Sequence, residues 1–338
     1  MATHSYNSKG IVFPIKDIAG KEIYWSKGQY QVPLKPRSLN KFRNSIIYSA
    51  EGFIQKKNGQ FLRDTYWWDE AITEYQLLRN WRTLFCKPLK GNWFSMILYF
   101  SWGYYHWFCD ILPRLYKVQD LLPSDTRFII HKNPPFWKRK SLELMNIPLS
   151  LCYEFDGKIP LKLENLYFMP PVAMTGDHDP EALQWVRNQM LQRSGIGTVT
   201  IPSLRLYVSR SAARCRRIVN ERELMERLEP LGFKLVQAEK LALEEQIKLF
   251  SQAEWIIGPH GAGLTNMLYA PTGAKVIELF EPSILRRCYY QMSKSLNHIH
   301  HIAVGHQRHN LGAEPNIYLT NKNIEDIIHL IKNYHNSK

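Results

Sequence analysis

One short loop of the sequence combines residue types that could bind an anion. The stretch "GPHGAG" (258–263) follows the apolar run "AEWII" and carries three glycines and His260. Glycines let the backbone turn sharply and let a ligand approach the main chain. If a helix follows, its first N–H groups would favour a phosphate. Two interpretations stay open: a phosphate-facing turn in which His260 donates a hydrogen bond, or a tight turn with an exposed histidine.

A second stretch is rich in arginine. In "YVSRSAARCRRIVNE" (207–221), a predicted strand ends near Arg210, and Arg216 lies in the loop that follows. A guanidinium group stays charged and can bind a phosphate through two parallel hydrogen bonds. Because the carboxyl ends of neighbouring parallel strands meet at one edge of a sheet, these arginines are expected beside the 258–263 loop. The alternative is a basic surface loop.

A third stretch, "GYYHWFCDILPRL" (103–115), places a histidine and a carboxylate four residues apart. On a helix, His106 and Asp110 would share one face. A carboxylate beside a histidine in an aromatic setting suits general-base chemistry, because partial burial raises its pKa toward neutrality. The alternative is that Asp110 forms a salt bridge with Arg114 on the next turn.

Two weaker patterns could bind a metal ion. Asp177 and Asp179 could hold Mn²⁺ or Mg²⁺ through nucleotide phosphates, but Asp179 is also a predicted helix cap. His298 and His300 fit one face of a strand and lack the pattern of a third zinc ligand. We therefore expect no metal site.

The elements that would position these residues alternate between strand and helix. The predicted strands lie at 127–131, 163–171, 204–210, 234–238, 254–258 and 274–280. The predicted helices lie at 103–122 with a kink at Pro113, and at 141–147, 179–195, 220–233, 242–253, 264–270 and 323–334. A hairpin with its turn at Asn58–Gly59 is predicted in the otherwise irregular region 1–90. This order predicts an α/β fold, with a doubly wound parallel sheet over 204–280.

Composition narrows the class of protein. The 338 residues are 45% hydrophobic and 22% charged, which is typical of a folded globular protein. The first ten residues lack an apolar signal, no apolar run is long enough to span a membrane, and the five cysteines are scattered. These features favour a reducing, cytoplasmic location.

The net charge of +14 is the strongest compositional signal. A charge of this size attracts nucleic acid, anionic lipid or phosphate-bearing substrates, and is compatible with peripheral contact with an anionic membrane. One basic cluster, "KRK" (138–140), is expected on the surface.

Together, three blocks resemble glycosyltransferase family 61. They are "YYHWFCDILPRL", "YVSRSAARCRRIVNERELMERL" and "EEQIKLFSQAEWIIGPHGAGLTNMLYAPTGAKVIELF". The likeness covers roughly 100–120 and 204–281, and it rests on the order and spacing of all three blocks. The family includes transferases of the secretory pathway, plant xylan-decorating enzymes and bacterial homologues. Because no secretory anchor is visible, a bacterial or viral cytosolic enzyme is the better analogue.

The resemblance implies a GT-B fold, in which two Rossmann-like domains face each other across a cleft. The domain bounds expected on this basis are 1–178 on the acceptor side, 179–310 on the nucleotide-sugar side, and a tail at 311–338 that packs back on the N-terminal domain. It also implies inversion at the anomeric carbon and a reaction that needs no metal or other cofactor, since basic residues neutralise the diphosphate.

The resemblance further implies roles for individual residues. Asp110 would be the base that takes the acceptor proton, with His106 orienting either Asp110 or the acceptor, and His260 would donate a hydrogen bond to the leaving diphosphate. Glu278 would hold the ribose hydroxyls. The residues predicted to bind the nucleotide sugar are Arg210, Arg216, Asn220, Gly261, Ala262, Gly263, Asn266 and Glu278.

The resulting hypothesis is an inverting transferase that moves a sugar from a UDP-linked donor to a hydroxyl of a glycan acceptor. The alternative is a nucleotide-sugar or polyanion (nucleic-acid) binding protein on the same fold that catalyses no transfer.

Overall fold

The computed structural model of the protein describes residues 15–26, 37–65, 85–197, 201–283, 285–308 and 314–336. By packing, the described residues form two compact units. The first unit lies within Pro33–Arg193, and the second combines residues of Met1–Val32 and Ser194–Lys338. Each unit is built on a β-sheet with helices, so the predicted α/β class is confirmed. The domain bounds expected from the sequence stay a prediction.

The described residues of the first unit form a mixed six-stranded sheet. In spatial order its strands are Ile54–Gln55, Asn40–Ile47, Leu161–Phe168, Lys87–Ser95, Arg127–His131 and Cys152–Phe155. The first two pairings are antiparallel and the other three are parallel. The predicted turn at Asn58–Gly59 is confirmed, since residues 55 and 61 pair on either side of it and Gly59 has a φ of 86°.

Two longer helices accompany this sheet, Phe136–Leu144 and Pro180–Arg193. The second begins where it was predicted to begin, because the N–H of Ala182 donates to the Asp179 carboxylate at 3.0 Å. Short 3-10 turns lie at Arg63–Thr65, Gln119–Leu121 and Leu149–Leu151.

The prediction that all of "KRK" (138–140) lies on the surface is wrong for Lys138. This residue is 1% exposed on the helix Phe136–Leu144, and its ammonium donates to the Ser101 carbonyl at 2.8 Å. It also lies 4.5 Å above the Trp107 ring. Burial lowers the pKa of Lys138 to about 8.

The helix predicted over 103–122 is shorter and irregular. It consists of an α turn at Tyr104–His106, a π-helical segment at Trp107–Ile111 and a 3-10 turn at Leu112–Leu115. Proline lacks an N–H and cannot continue a helix, which is consistent with the change of geometry at Pro113. π-helical segments are rare and are often found at functional sites.

The second unit contains a parallel five-stranded sheet among its described residues. In spatial order its strands are Phe233–Val236, Leu204–Val208, Ala253–Pro259, Lys275–Phe280 and Ile299–Val304. All four pairings are parallel. The first four strands confirm the parallel sheet predicted over 204–280. The fifth strand contains His300, for which a strand face was indicated, whereas the preceding helix Cys288–Leu296 was absent from the predicted elements.

The remaining elements of the second unit flank this sheet. Its α-helices are Glu221–Leu228, Leu243–Phe250, Cys288–Leu296 and Asn321–Asn336. Three 3-10 helices lie at Glu229–Leu231, Ala238–Lys240 and Ala262–Tyr269. Two small hairpins pair Ile15–Lys16 with Glu22–Ile23 and His306–Arg308 with Asn316–Tyr318.

The C-terminal helix packs on the core of the second unit. Ile324, Ile327 and Ile331 belong to the same buried cluster as Tyr207 and Trp255 from the central strands. The helix predicted over 323–334 is confirmed, and its isoleucines at helical spacing pack on one face of the parallel sheet.

Candidate functional site

The loop 258–263 leaves the strand Ala253–Pro259 and enters a 3-10 helix, Ala262–Tyr269. A Cβ atom at Gly258 would lie 2.9 Å from the carbonyl oxygen of Val208, so only glycine fits against the neighbouring strand. A Cβ atom at Gly263 would likewise lie 2.9 Å from the Val208 side chain. The glycines therefore serve close packing at this strand end. Ala262, between them, is exposed.

His260 is buried in this loop, 5% exposed. Its ring stacks on Phe280 with a centroid distance of 5.0 Å and meets Tyr289 edge-on at 5.3 Å. Its Nδ1 lies 2.5 Å from Oε1 of Glu278. The interpretation of His260 as an ordinary exposed side chain is therefore wrong.

Glu278 has no exposed surface. One carboxylate oxygen contacts His260, and the other lies 3.1 Å from Nε2 of His300. The Nδ1 of His300 in turn lies 2.7 Å from the Ser293 hydroxyl. A direct contact between Glu278 and a ribose would need exposure that this carboxylate lacks, so the role predicted for it does not fit the structure.

Electrostatics distinguish these buried groups from ordinary surface residues. Burial raises the pKa of Glu278 well above its usual range, and Arg216 acts in the opposite direction with a smaller effect than burial. Burial lowers the pKa of His260 well below its usual range, and Arg216, Arg286 and Arg210 lower it further. Three guanidinium groups thus produce a positive potential at the imidazole.

Arg210 packs directly against the glycine loop. A Cβ atom added to Gly261 would lie 2.5 Å from Cζ and 2.8 Å from Nε of Arg210. Nη2 of Arg210 donates a hydrogen bond to the Cys215 carbonyl at 3.3 Å, whereas its buried Nε has no hydrogen-bond partner among the described residues. The structure therefore brings Arg210 and the 258–263 loop together, as the parallel strand order predicted.

Arg216 is held by an acidic partner. Its Nε lies 2.9 Å from Glu314, and the same carboxylate accepts a hydrogen bond from Arg286 at 2.6 Å. Arg216 also adopts a φ of 56°, which is uncommon for a residue with a side chain. Sequence reasoning missed Arg286 and Glu314, because they lie outside the blocks that resemble a known family.

Two predicted ligand residues lie inside the fold. Asn220 accepts from the Leu319 N–H at 3.1 Å and donates to the Leu319 carbonyl at 2.7 Å. Asn266 is 1% exposed and donates to Gln246 at 2.7 Å. Asn220 ties the start of the helix Glu221–Leu228 to Leu319, and Asn266 ties the 3-10 helix Ala262–Tyr269 to the helix Leu243–Phe250. Any effect on a ligand would therefore act through the position of these elements.

In the first unit, His106 and Asp110 form a close pair. Nδ1 of His106 lies 2.6 Å from Oδ2 of Asp110, which is 5% exposed. The Thr175 hydroxyl donates to the same oxygen at 2.9 Å, and the His106 ring stacks on Phe100 at 5.2 Å. No described residue forms a hydrogen bond with the other oxygen, Oδ1. Sequence reasoning missed Thr175, which lies 65 residues away along the chain.

The alternative salt bridge between Asp110 and Arg114 is absent among the described contacts. Arg114 is fully buried and donates to the carbonyls of Met169 at 2.6 Å and Ser95 at 2.9 Å. Its remaining Nη2 has no hydrogen-bond partner among the described residues. Burial lowers the pKa of Arg114 to about 9.

Residues of the two weaker metal patterns make other contacts in the fold. Asp179 caps a helix, and His300 contacts Ser293 and Glu278. Over the described ranges, no group of three or more His, Cys, Asp or Glu residues is placed to hold a metal ion. Whether the reaction needs a metal stays a prediction.

Comparison with known proteins assigns the family. The pattern of the family described as glycosyltransferase 61 matches residues 104–277, just over half of the chain. The chain belongs to glycosyltransferase family 61. The matched range includes both the His106–Asp110 pair and the 258–263 loop. The family is one of transferase enzymes, which confirms the resemblance seen in the sequence.

Curated relatives within the family share limited identity with this member. The EGF domain-specific O-linked N-acetylglucosamine transferase of Gallus gallus is 25% identical over 228 residues, which is 59% of this chain and 41% of the relative. The enzyme of the same name from Canis lupus familiaris is 30% identical over 104 residues, 29% of this chain and 19% of the relative. That from Drosophila melanogaster is 35% identical over 77 residues, 22% of this chain and 15% of the relative. The matched segments thus span less than half of each relative.

One further observation concerns membranes. Within the part of the chain that the structure describes, no helix is both long enough and apolar enough to span a bilayer.

Proposed function

We propose that the chain is an inverting glycosyltransferase that moves a sugar from a nucleoside diphosphate sugar, UDP-linked, to a hydroxyl of a glycan acceptor. Family membership supports the transferase class. The observation that carries the donor assignment is the packing of the Arg210 guanidinium on Gly261, beside the buried His260. The two-domain GT-B arrangement belongs to this proposal.

The donor half of the reaction depends on positive charge without a metal. Arg210, Arg216 and Arg286 lower the pKa of His260, which means that their field would favour an anion at the same place. We assign Arg210 and Arg216 to the diphosphate. His260 donates a hydrogen bond to it, and the first N–H groups of the helix Ala262–Tyr269 face it. Such preorganised donors stabilise the charge that develops on a leaving group.

Glu278 takes a different role from the one predicted. Because its carboxyl group is fully buried between His260 and His300, we assign it to hold His260 rather than to bind the ribose.

The acceptor half of the reaction uses the His106–Asp110 pair. His106 and Thr175 both contact Oδ2 of Asp110, so this oxygen is fixed, while Oδ1 remains for the acceptor hydroxyl. We assign Asp110 as the general base and the other two as residues that orient it. A single inverting displacement needs one base and stabilisation of the leaving group.

The names of the relatives suggest which donor to test first. Those proteins are named as transferases of O-linked N-acetylglucosamine on EGF domains. We carry over only the sugar, so the nucleotide derivative of N-acetylglucosamine is the first donor to test. A cytoplasmic location, with peripheral contact between the basic chain and an anionic membrane, is part of the same proposal.

A thermal-shift panel of UDP, GDP, CMP and their sugars tests the donor site. A ligand present at about 100 times its Kd stabilises the folded state by about 2.7 kcal/mol, which raises the melting temperature. We expect UDP and its sugars to give the largest shift in the wild type, and Arg210→Ala to lose most of it. If none of these nucleotides changes the melting temperature, the donor assignment is wrong.

The net charge of +14 favours one alternative, a protein that binds polyanions without transfer. It predicts binding to any DNA duplex, with an affinity that falls steeply as the salt concentration rises. Tight duplex binding together with no nucleotide-induced shift would favour this alternative.

A further inference from the structure

We propose that Glu278 is protonated and donates its proton to Nδ1 of His260, so that a buried chain of hydrogen bonds from Ser293 through His300 keeps the Nε2 of His260 as an N–H donor. The assigned proton positions involve only Glu278, His260, His300 and Ser293. What they imply for the binding of a diphosphate rests on the proposed function.

The lengths of two of the three contacts indicate the direction of the hydrogen bond. An O–H donor gives bonds of about 2.5–3.0 Å, whereas N–H···O bonds run from about 2.7 to 3.2 Å. The contact of 2.5 Å between Glu278 and His260 fits an O–H donor on the carboxyl group. The contact of 3.1 Å between His300 Nε2 and Glu278 fits an N–H donor on the imidazole. The contact of 2.7 Å between Ser293 and Nδ1 of His300 fits either direction by its length.

These three directions are mutually consistent. If a neutral His300 carries its proton on Nε2, its Nδ1 has a lone pair and accepts a hydrogen bond from the Ser293 hydroxyl. The Nε2–H of His300 then donates to Oε2 of Glu278, whose Oε1 carries the proton given to His260. Since Nδ1 of His260 accepts, the proton of its neutral ring is on Nε2.

Burial favours this neutral arrangement over an ionised one. Glu278 has no exposed surface, and the side chains of His260 and His300 are 7% and 3% exposed. Burial raises the pKa of Glu278 and lowers that of His300 to about 3. A net charge in so little water is unfavourable unless it is paired.

Other titratable and charged groups surround the buried hydrogen-bond chain. Arg210, Arg216 and Arg286 face His260 and oppose an imidazolium there. His298 and His301 lower the pKa of His300. The thiol of Cys288 near Glu278 has a pKa raised by burial, so it adds no charge at neutral pH. Of these groups, only Arg216 favours the ionised form of Glu278.

The arrangement gives His260 one defined property. Its Nδ1 is occupied, and no described residue accepts a hydrogen bond from its Nε2. An Nε2–H can donate to a phosphate oxygen, whereas the opposite tautomer would present a lone pair to it. Loss of the shared proton at alkaline pH would produce that unfavourable tautomer. Glu278, His300 and Ser293 thus act as positioning residues for His260.

Glu278→Gln is the variant that separates the possibilities. A glutamine amide imitates the protonated carboxyl group, because its NH₂ can donate to His260 while its oxygen accepts from His300. We expect this variant to keep the Kd for UDP within about threefold of the wild type. Glu278→Ala breaks the chain, and we expect it to weaken UDP binding about 10- to 100-fold. If a correctly folded Glu278→Gln loses as much affinity as Glu278→Ala, an ionised carboxylate is required and the proposal is wrong.

A spectroscopic measurement tests the proton positions without any ligand. Long-range ¹H–¹⁵N spectra of the full chain report the tautomer of each imidazole, and His260→Asn identifies the signals of His260. We expect a neutral ring protonated on Nε2 from about pH 6 to about pH 8. An Nδ1–H tautomer or an imidazolium in this range would overturn the proposal. If the wild type failed to bind UDP but showed the Nε2–H tautomer, the proposed function would fail and this inference would stand.

Discussion

Gly261→Ala probes the contact that carries the donor assignment. The added Cβ would lie 2.5 Å from Cζ of Arg210, with the nearest guanidinium nitrogen closer still. An ordinary contact begins near 3.4 Å, so the guanidinium must retreat by about 1 Å or more. The backbone itself is not strained, because the φ of Gly261 is 167°, an extended conformation open to any residue.

The expected effect is on binding more than on stability. A hydrogen bond to a charged group contributes about 1.5–3 kcal/mol, so its loss should raise the Kd for UDP about 10- to 150-fold. Calorimetry with UDP measures this change. Gly197→Ala is the matched control, since a Cβ there meets no atom within 4 Å.

A double-mutant cycle shows whether the effect passes through Arg210. If it does, Gly261→Ala combined with Arg210→Ala should bind UDP no more weakly than Arg210→Ala alone. Additive losses, or an unchanged Kd in Gly261→Ala, would refute the placement of Arg210 at the diphosphate.

Three further predictions follow from the described contacts. Thr175→Val removes one donor to Asp110 and should lower kcat about tenfold with an unchanged Kd for UDP; equal kcat would exclude Thr175 from the acceptor site. Arg114→Met leaves two buried carbonyls unpaired and should lower the unfolding free energy by about 3–5 kcal/mol in urea titrations; wild-type stability would contradict this. In the folded protein, burial lowers the pKa of His300 to about 3, so the ring is neutral. In the unfolded chain the same ring binds a proton below about pH 6.5. Stability should therefore fall on acidification from about pH 6.5, by up to about 1.4 kcal/mol per pH unit for this group. Between about pH 4.5 and 6.5, protonated Glu278 contributes a slope of the same size and opposite sign, but burial also lowers the pKa of His260, which adds a second slope in the direction of His300, so stability still falls. A His300→Asn variant with the same pH slope as the wild type would contradict the assignment.

Much of the second unit could be predicted from local pattern. Apolar runs separated by short loops predicted four strands of the parallel sheet, and the order of these strands placed Arg210 beside the 258–263 loop. The fifth strand, Ile299–Val304, was indicated only by the alternation of His298 and His300, because its histidines interrupt the apolar alternation. The contact between His300 and Glu278 that explains one of these histidines is a tertiary contact.

The role of Glu278 shows why site chemistry was harder to predict than site location. An acidic residue at a strand end commonly binds a ribose in related folds, and the sequence carries no signal of its complete burial. Likewise, helical spacing placed His106 near Asp110, but it could not indicate the π-helical segment Trp107–Ile111 or the approach of Thr175. Both features depend on packing between distant parts of the chain.

The most direct test of the proposed function is the release of nucleoside diphosphate and the anomeric configuration of the product. The wild type, incubated with UDP-N-acetylglucosamine and other UDP-sugars together with glycan acceptors, should release UDP and form a product of inverted configuration, identified by NMR. Asp110→Asn should lower turnover at least about 100-fold while its Kd for UDP stays unchanged. A product with retained configuration, or an Asp110→Asn variant with near wild-type turnover, would contradict the account.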